Sequence, residues 1–144
     1  MADFNYLEQL SIFVENRQGE LYSITSVLEK ENISLLSIVL SDSSEFGILR
    51  LLTKDTIAAK TALVENGIMA QSTKAIGVRI VDQVGSFNKV VKILSDADID
   101  IRYTYTVNEK NDGIFVFKVD DEKIEQASSL LEKNGVKTVS GDDL

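Results

Sequence analysis

A chain of 144 residues with 15 Lys and Arg against 23 Asp and Glu carries a formal net charge of −8, a balance that repels the phosphates of nucleic acid. Cysteine is absent, so disulfides and thiolate metal sites are excluded, and histidine is absent, which removes the commonest acid/base group and metal ligand. Hydrophobic residues make up 44%, ordinary for a globular protein, and no apolar run approaches the roughly 20 residues of a membrane span.

The N-terminal MADFNYLEQ is acidic and lacks a signal-peptide pattern, which predicts a cytoplasmic location and no membrane partner. Leu10, Ile12 and Val14 then alternate with Ser11, Phe13 and Glu15, the period of a strand with one strongly buried face. A polar turn containing Gly19 leads into a helix predicted over 20–31, whose stripe Leu21, Ile24, Val27 and Leu28 faces a sheet. That helix ends at Asn32-Ile33. Strands over 34–40 and 47–53 form a hairpin around the polar run SDSSEF. A helix over 56–65 stops at Asn66-Gly67, where glycine adopts the left-handed conformation, and a strand over 69–73 follows.

From Ile76 the pattern returns. Gly85 follows Gly19, and Gly113 follows Gly47, by the same 66 positions, and Phe87, Val90, Ile93 and Leu94 match the first helical stripe. The second pass predicts a strand from Ile76, a helix over 86–97 ending at Asp98-Ile99, and strands over 100–107 and 113–119 around NEKND. A helix over 122–133 ends at Asn134-Gly135, and a strand over 136–139 closes the chain. Repetition at a fixed period sets the domain plan. Two domains are expected, 1–73 and 74–144, each an α+β, ferredoxin-like βαββαβ unit with an antiparallel sheet and both helices on one face. Only Lys74-Ala75 separates them, so their relation is expected to be fixed.

Alternation along the hairpin strands places Ile33, Leu35 and Val39 toward the helices and Leu36, Ile38 and Leu40 on the open face. In the second repeat it places Tyr103 and Tyr105 toward the helices and Arg102, Thr104 and Thr106 on the open face. An apolar open face in one repeat only marks an interface and predicts a homodimer, unless the Tyr6–Leu7 arm covers it.

Chemistry-bearing motifs are few. HExxH, CxxC, GxSxG and GxxxxGK[ST] are all missing, so no enzyme, metal or cofactor is indicated. The two strand–turn–helix junctions are the better candidates: Asn16-Arg17-Gln18-Gly19-Glu20-Leu21 and Asp82-Gln83-Val84-Gly85-Ser86-Phe87. Glycine permits a tight turn and close approach of a ligand, and the first helical turn presents unpaired N–H groups that attract carboxylate or phosphate. Asn16 and Asp82 stand where side chains reach a ligand's polar groups, with Asp82 suited to an ammonium. The alternative, that these glycines serve only the turn, stays open on pattern alone.

These residues resemble the ACT domain, a small regulatory module of amino-acid metabolism. Asn16-Arg17-Gln18-Gly19-Glu20-Leu21 and Glu31-Asn32-Ile33 match its strand–helix and helix-end motifs, although Gln18 and Val84 stand where the family often has proline. The second repeat departs further, with Asp82 and Asp98 replacing the asparagines. The resemblance covers nearly the whole chain as a tandem pair with no attached enzyme. It implies modules joined side by side, a free amino acid as effector bound at a pair interface, allosteric regulation of a separate metabolic enzyme, and a homodimer. Carried over, Asn16 and Asn32 contact the effector from opposite sides of an interface, and the backbone of 18–21 completes the site.

Three other readings compete. One is a non-catalytic regulatory subunit of an amino-acid biosynthetic enzyme such as acetolactate synthase. Another is an RNA-binding module, to which Gly113-Ile114-Phe115-Val116-Phe117 bears a faint likeness that Gly47-Ile48-Leu49-Arg50-Leu51 does not share. An enzyme in its own right ranks last, because no nucleophile motif is present.

Overall fold

Strand period and helical period separate cleanly along the chain of this computed structural model, which describes residues 4–15, 17–42, 46–81, 83–107 and 113–144. The order is β1 (Leu7–Glu15), α1 (Glu20–Lys30), β2 (Leu35–Asp42), β3 (Phe46–Thr53), α2 (Thr56–Glu65), β4 (Gln71–Ile80), α3 (Ser86–Asp96), β5 (Tyr103–Val107), β6 (Gly113–Lys118), α4 (Ile124–Lys133) and β7 (Lys137–Val139). Each half follows the ferredoxin-like βαββαβ plan. The chain divides into two compact units, Glu8–Thr73, and Lys74–Leu144 together with Met1–Leu7. The strand expected to end at Thr73 does not end there. It runs on as β4, whose first residues belong to one unit and whose remainder opens the other.

In the first unit β3 lies between β1 and β2, antiparallel to both, with Leu10 opposite Leu51, Ile12 opposite Leu49 and Ile38 opposite Leu51. Leu10, Ile12, Val14, Leu49 and Leu51 share one core with Ile24 and Leu28 of α1 and Ala59 and Leu63 of α2. Both helices therefore cover one sheet face. Each fully buried Leu or Ile there is worth about 1.5–3 kcal/mol over exposure. Leu21, one turn before Ile24, stays exposed instead of joining the stripe.

In the second unit β4 lies between β6 and β7, and β5 pairs with β6, all antiparallel. Ile76, Val78, Phe117 and Val119 form a core with Val90, Leu94, Ile124, Ala127 and Leu131. The N-terminal arm packs here, not on the first unit. Phe4 and Tyr6 lie against this core, Asn5 Nδ2 donates to Thr138 Oγ1 at 3.1 Å, and Ser128 Oγ donates to the Asn5 carbonyl at 3.2 Å. The Lys74 ammonium sits 4.6 Å from the centre of the Tyr6 ring.

Ile33 and Leu35 lie on the helix side as expected, but the faces expected beyond them along the hairpin strands are reversed. Leu35 lies opposite Thr53 but Ser37 lies opposite Leu52, so Leu36 is an extra residue in a β-bulge. One inserted residue moves every later side chain to the other face. Ile38 and Leu40, opposite core residues Leu51 and Leu49, thus share the helix face, and Val39, opposite Arg50, does not. The second repeat changes parity at the matching place. Ile99 and Ile101 pack with the core, yet Thr104 and Thr106 lie opposite Phe117 and Phe115 on that same face. Tyr103 and Tyr105 consequently occupy the face away from the helices, with ring centres 6.4 Å apart and nearly parallel. The apolar–polar contrast survives on the helix side of the hairpin's outer strand. Leu35, Ile38 and Leu40 are 38%, 44% and 50% exposed, where the second repeat has Ile101, Thr104 and Thr106.

A methyl group at Gly77 would lie 2.5 Å from Leu7 Cδ1 and 2.7 Å from Val139 Cγ2. Gly77→Ala is expected to destabilise the protein by about 1–3 kcal/mol, read as a lower urea midpoint at unchanged slope. An unchanged midpoint would show that the arm does not press on β4.

Candidate functional site

The first junction is built by backbone bonds around one left-handed glycine. After β1, the Arg17 N–H donates to the Glu15 carbonyl at 2.7 Å and the Glu20 N–H donates to the Arg17 carbonyl at 3.3 Å. Gly19 has φ 85° and ψ −3° and caps α1. Its carbonyl accepts from the Ser23 N–H at 3.0 Å and the Ser23 hydroxyl at 3.1 Å. Nothing lies within 4 Å of a Cβ built on Gly19, so backbone conformation, not space, demands glycine. Arg17 reaches Glu15 at 3.0 Å and Glu20 at 3.4 Å across exposed surface, where such pairs contribute little.

The second junction repeats this geometry. The Gln83 N–H donates to the Val81 carbonyl at 2.8 Å, the Ser86 N–H to the Gln83 carbonyl at 3.1 Å, and Gly85 has φ 91°. Val84 is fully exposed, and Phe87 packs its ring 5.0 Å from Phe115 and 5.5 Å from Phe117. The cap residues of α1 and α3, Gly19 and Gly85, have no side chain to accept from the first-turn N–H groups, of which those of Glu20 and Ser86 donate to the Arg17 and Gln83 carbonyls. Asn16 and Asp82 lie outside the described residues.

Asn32 is at the other end of α1. The Ile33 N–H donates to the Leu28 carbonyl at 2.9 Å and the Asn32 N–H to the Glu29 carbonyl at 3.0 Å, a Schellman termination. Asn32 takes φ 57° within it, as Asp98 does in the same bonding pattern after α3. Helices α2 and α4 end in the same pattern, but with glycines, Gly67 and Gly135, in the left-handed position. Two of four equivalent stops thus retain a polar side chain where glycine fits with less strain.

Asn32 lines an open cleft of about 390 Å³ with Thr25, Leu28, Glu29, Ile33, Ser34 and Leu35. Glu29 is its charged lining residue. Sequence reading picked out Asn32 but missed Thr25, Glu29 and Ser34. The helical offsets from Thr25 to Glu29 and on to Asn32 are the signal that connects them. The candidate residues of the first unit fall into two places, because the 11 residues of α1 separate Gly19 from Asn32 by roughly 16 Å, and Gln83–Phe87 belong to the second unit.

Among the described residues no group of three or more Asp or Glu is placed to hold a metal ion. The perturbed carboxyl groups belong to structural pairings. Asp120 is held below the usual carboxylate range by the Arg102 guanidinium, bonded at 2.9 and 3.0 Å, and Asp143 is lowered by the Ser140 N–H. No helix among the described residues is long and apolar enough to cross a membrane.

A family described as the ACT domain pair matches residues 5–144. Among solved structures, protein BT0572 from Bacteroides thetaiotaomicron is similar over 97% of this chain and 96% of its own, with 30% identity and a TM-score of 0.88. The regulatory subunit of aspartate kinase from Thermus thermophilus is similar over 92% and 95%, at 15% identity and a TM-score of 0.58. Aspartate kinase from Clostridium acetobutylicum is similar over 88% of this chain but 32% of its own, at 16% identity and a TM-score of 0.56. The last two show a shared fold alone. Among proteins with curated descriptions, none matches.

Gly19→Ala is expected to cost about 1 kcal/mol, because alanine must adopt φ 85°. Asn32→Gly is expected to leave stability unchanged or raise it by up to about 1 kcal/mol. Paired thermal melts check both, and a large loss in Asn32→Gly would assign that amide to folding.

Proposed function

The chain belongs to the ACT domain pair family, and from that premise we propose that it is a non-catalytic regulatory protein that binds a free amino acid and controls a separate metabolic enzyme. The observation that carries this reading is the polar side chain kept at a left-handed helix stop, Asn32, on the wall of a cleft open to a small ligand.

An amino acid has a carboxylate and an ammonium only a few ångströms apart. The first-turn N–H groups after Gly19 suit the carboxylate, and the Asn32 cleft offers polar groups to the remainder. Roughly 16 Å of helix separates them, so a ligand that uses both takes each from a different module. Asn16, Arg17, Gln18, Gly19, Glu20 and Leu21 on one side and Asn32 on the other form such a composite site between two copies of the chain. A ligand bound there favours one arrangement of the copies over others, and that differential affinity is the signal.

The second copy is supported by β2. It is the outermost strand of its sheet, eight residues long, with neither proline nor lysine to discourage pairing. Leu35, Ile38 and Leu40 remain exposed along it. Antiparallel pairing of β2 with its own copy is self-complementary about a two-fold axis. The junction of Gln83, Val84, Gly85, Ser86 and Phe87 offers the same backbone groups, but Asp98 replaces asparagine at its helix end.

A second reading keeps the ligand site and makes the chain a standing subunit of a biosynthetic enzyme such as acetolactate synthase. The Thermus thermophilus subunit of aspartate kinase, matched across nearly its full extent, shares the fold of this chain. Co-purification with a large partner separates the two readings.

In a thermal-melt screen against the twenty amino acids, one or two are expected to raise the melting temperature by several degrees, about 2.7 kcal/mol at a hundredfold excess over Kd. Asn32→Gly should abolish that rise. A flat panel sinks the sensor reading for the isolated chain. Sedimentation at micromolar concentration should give a dimer, and Ile38→Lys should give a monomer. A monomeric parent protein removes the two-copy site.

A further inference from the structure

The repeat supplies its own comparison for the cleft after α1. At the matching place after α3, Asp98 has the same φ of 57° and the same Schellman bonds, and the Lys123 ammonium donates to its carbonyl at 3.0 Å. Lys123 closes the 3-10 turn Asp121–Lys123 and stands at the cap position of α4. The first unit has no such turn before α2. Its cap position holds Asp55, which accepts the Ala58 N–H at 3.1 Å. The lining differs as well, since Ser95 and Asp100 occupy the positions matched to Glu29 and Ser34.

We propose that the carboxyl end of α1 is a subsite for the primary ammonium of a ligand, formed by the Asn32 carbonyl, the Glu29 carboxylate and the Thr25 and Ser34 hydroxyls, and that the second repeat keeps its equivalent place filled with its own Lys123. Each chain therefore offers one such subsite. A helix C-terminus concentrates partial negative charge on its last carbonyls, which favours a cation there, and Glu29 adds a full charge. Lys123 on Asp98 shows that this backbone geometry accepts an ammonium at hydrogen-bond distance. One further polar group differs between the repeats. Thr53, opposite lining residue Leu35, is buried and its Oγ1 has no hydrogen-bond partner, where the second repeat has the apolar Val119. The identity of the ligand as an amino acid rests on the sensor reading, but its orientation does not. The ammonium enters at α1, and the carboxylate stays outside, away from Glu29.

The test uses the full chain labelled with nitrogen-15. Ethylammonium titrated to high concentration should shift the amide signals of 29–35 and leave those of 95–101 in place. Tetraethylammonium, which has no N–H to donate, should shift neither set. Glu29→Gln should weaken the ethylammonium response at least tenfold. Glu29→Lys should abolish it by supplying an internal ammonium, while the melting temperature holds because a lysine near a helix C-terminus is favourable. Absence of the 29–35 shifts, or their persistence in Glu29→Lys, overturns the proposal.

Lysine and its Nα-acetyl and Nε-acetyl derivatives then distinguish an α-ammonium from a side-chain ammonium as the group received. Amino acids that bind with the same affinity to Glu29→Gln sink the subsite and leave the sensor reading standing. Ethylammonium shifts as described, with no amino acid bound, would retain the subsite and sink the sensor reading.

Discussion

Each of the four helices must stop, reverse and hand the chain back to the sheet within two residues, and one left-handed residue per helix makes this possible. Asn32, Gly67, Asp98 and Gly135 all have φ between 57° and 80°, and each is followed by Ile or Val whose N–H reaches five residues back to a leucine carbonyl. The apolar residue after the stop sets the angle at which the chain leaves the helix, and so the position of the helix on the sheet. Burial of Ile24, Leu28, Ala59 and Leu63 follows from that placement, as does burial of Val90, Leu94, Ala127 and Leu131. Without the stops, the apolar stripes would not meet the strands.

Duplication preserved this scaffold and let its surface diverge. Backbone geometry is nearly identical at Gly19 and Gly85, and at Asn32 and Asp98. Side chains around the matched places differ in charge and in hydrogen bonding. The second unit adds a 3-10 turn, an Arg102–Asp120 pair and a lysine on a helix-end carbonyl. The first keeps an open cleft and an apolar outer strand. Two copies of one module, one tied internally and one left open, suit an assembly in which one half supports and the other receives.

Much of this was legible in the sequence, because its signals are local. Apolar periods marked β1, α1 and α3, and Asn66-Gly67 and Asn134-Gly135 marked two of the helix stops. The 66-residue offset exposed the repeat. Facing was not legible along β2 and β5. Leu35, Leu36, Ile38, Val39 and Leu40 are apolar at both parities, so alternation carries no information about a bulge there. The continuity of β4 was hidden for a related reason, since the end of one repeat and the start of the next are both strand-like. The cleft was half legible: Asn32 carries a motif, whereas Thr25, Glu29 and Ser34 become neighbours only once α1 stops where it does.

The opening segment of the chain has a consequence for the order in which the protein is made. Asn5 bonds to Thr138, 133 positions away, and Leu7 lies against the glycine of a strand that has not yet been synthesised when Leu7 leaves the ribosome. The first unit can close as soon as its own strands have emerged, but the second must wait for Asn5 and Leu7 to meet β7. Closing so long a loop is slow relative to forming local contacts. The second unit is thus the later of the two to close, and its arm is a seal applied only once β7 has been made.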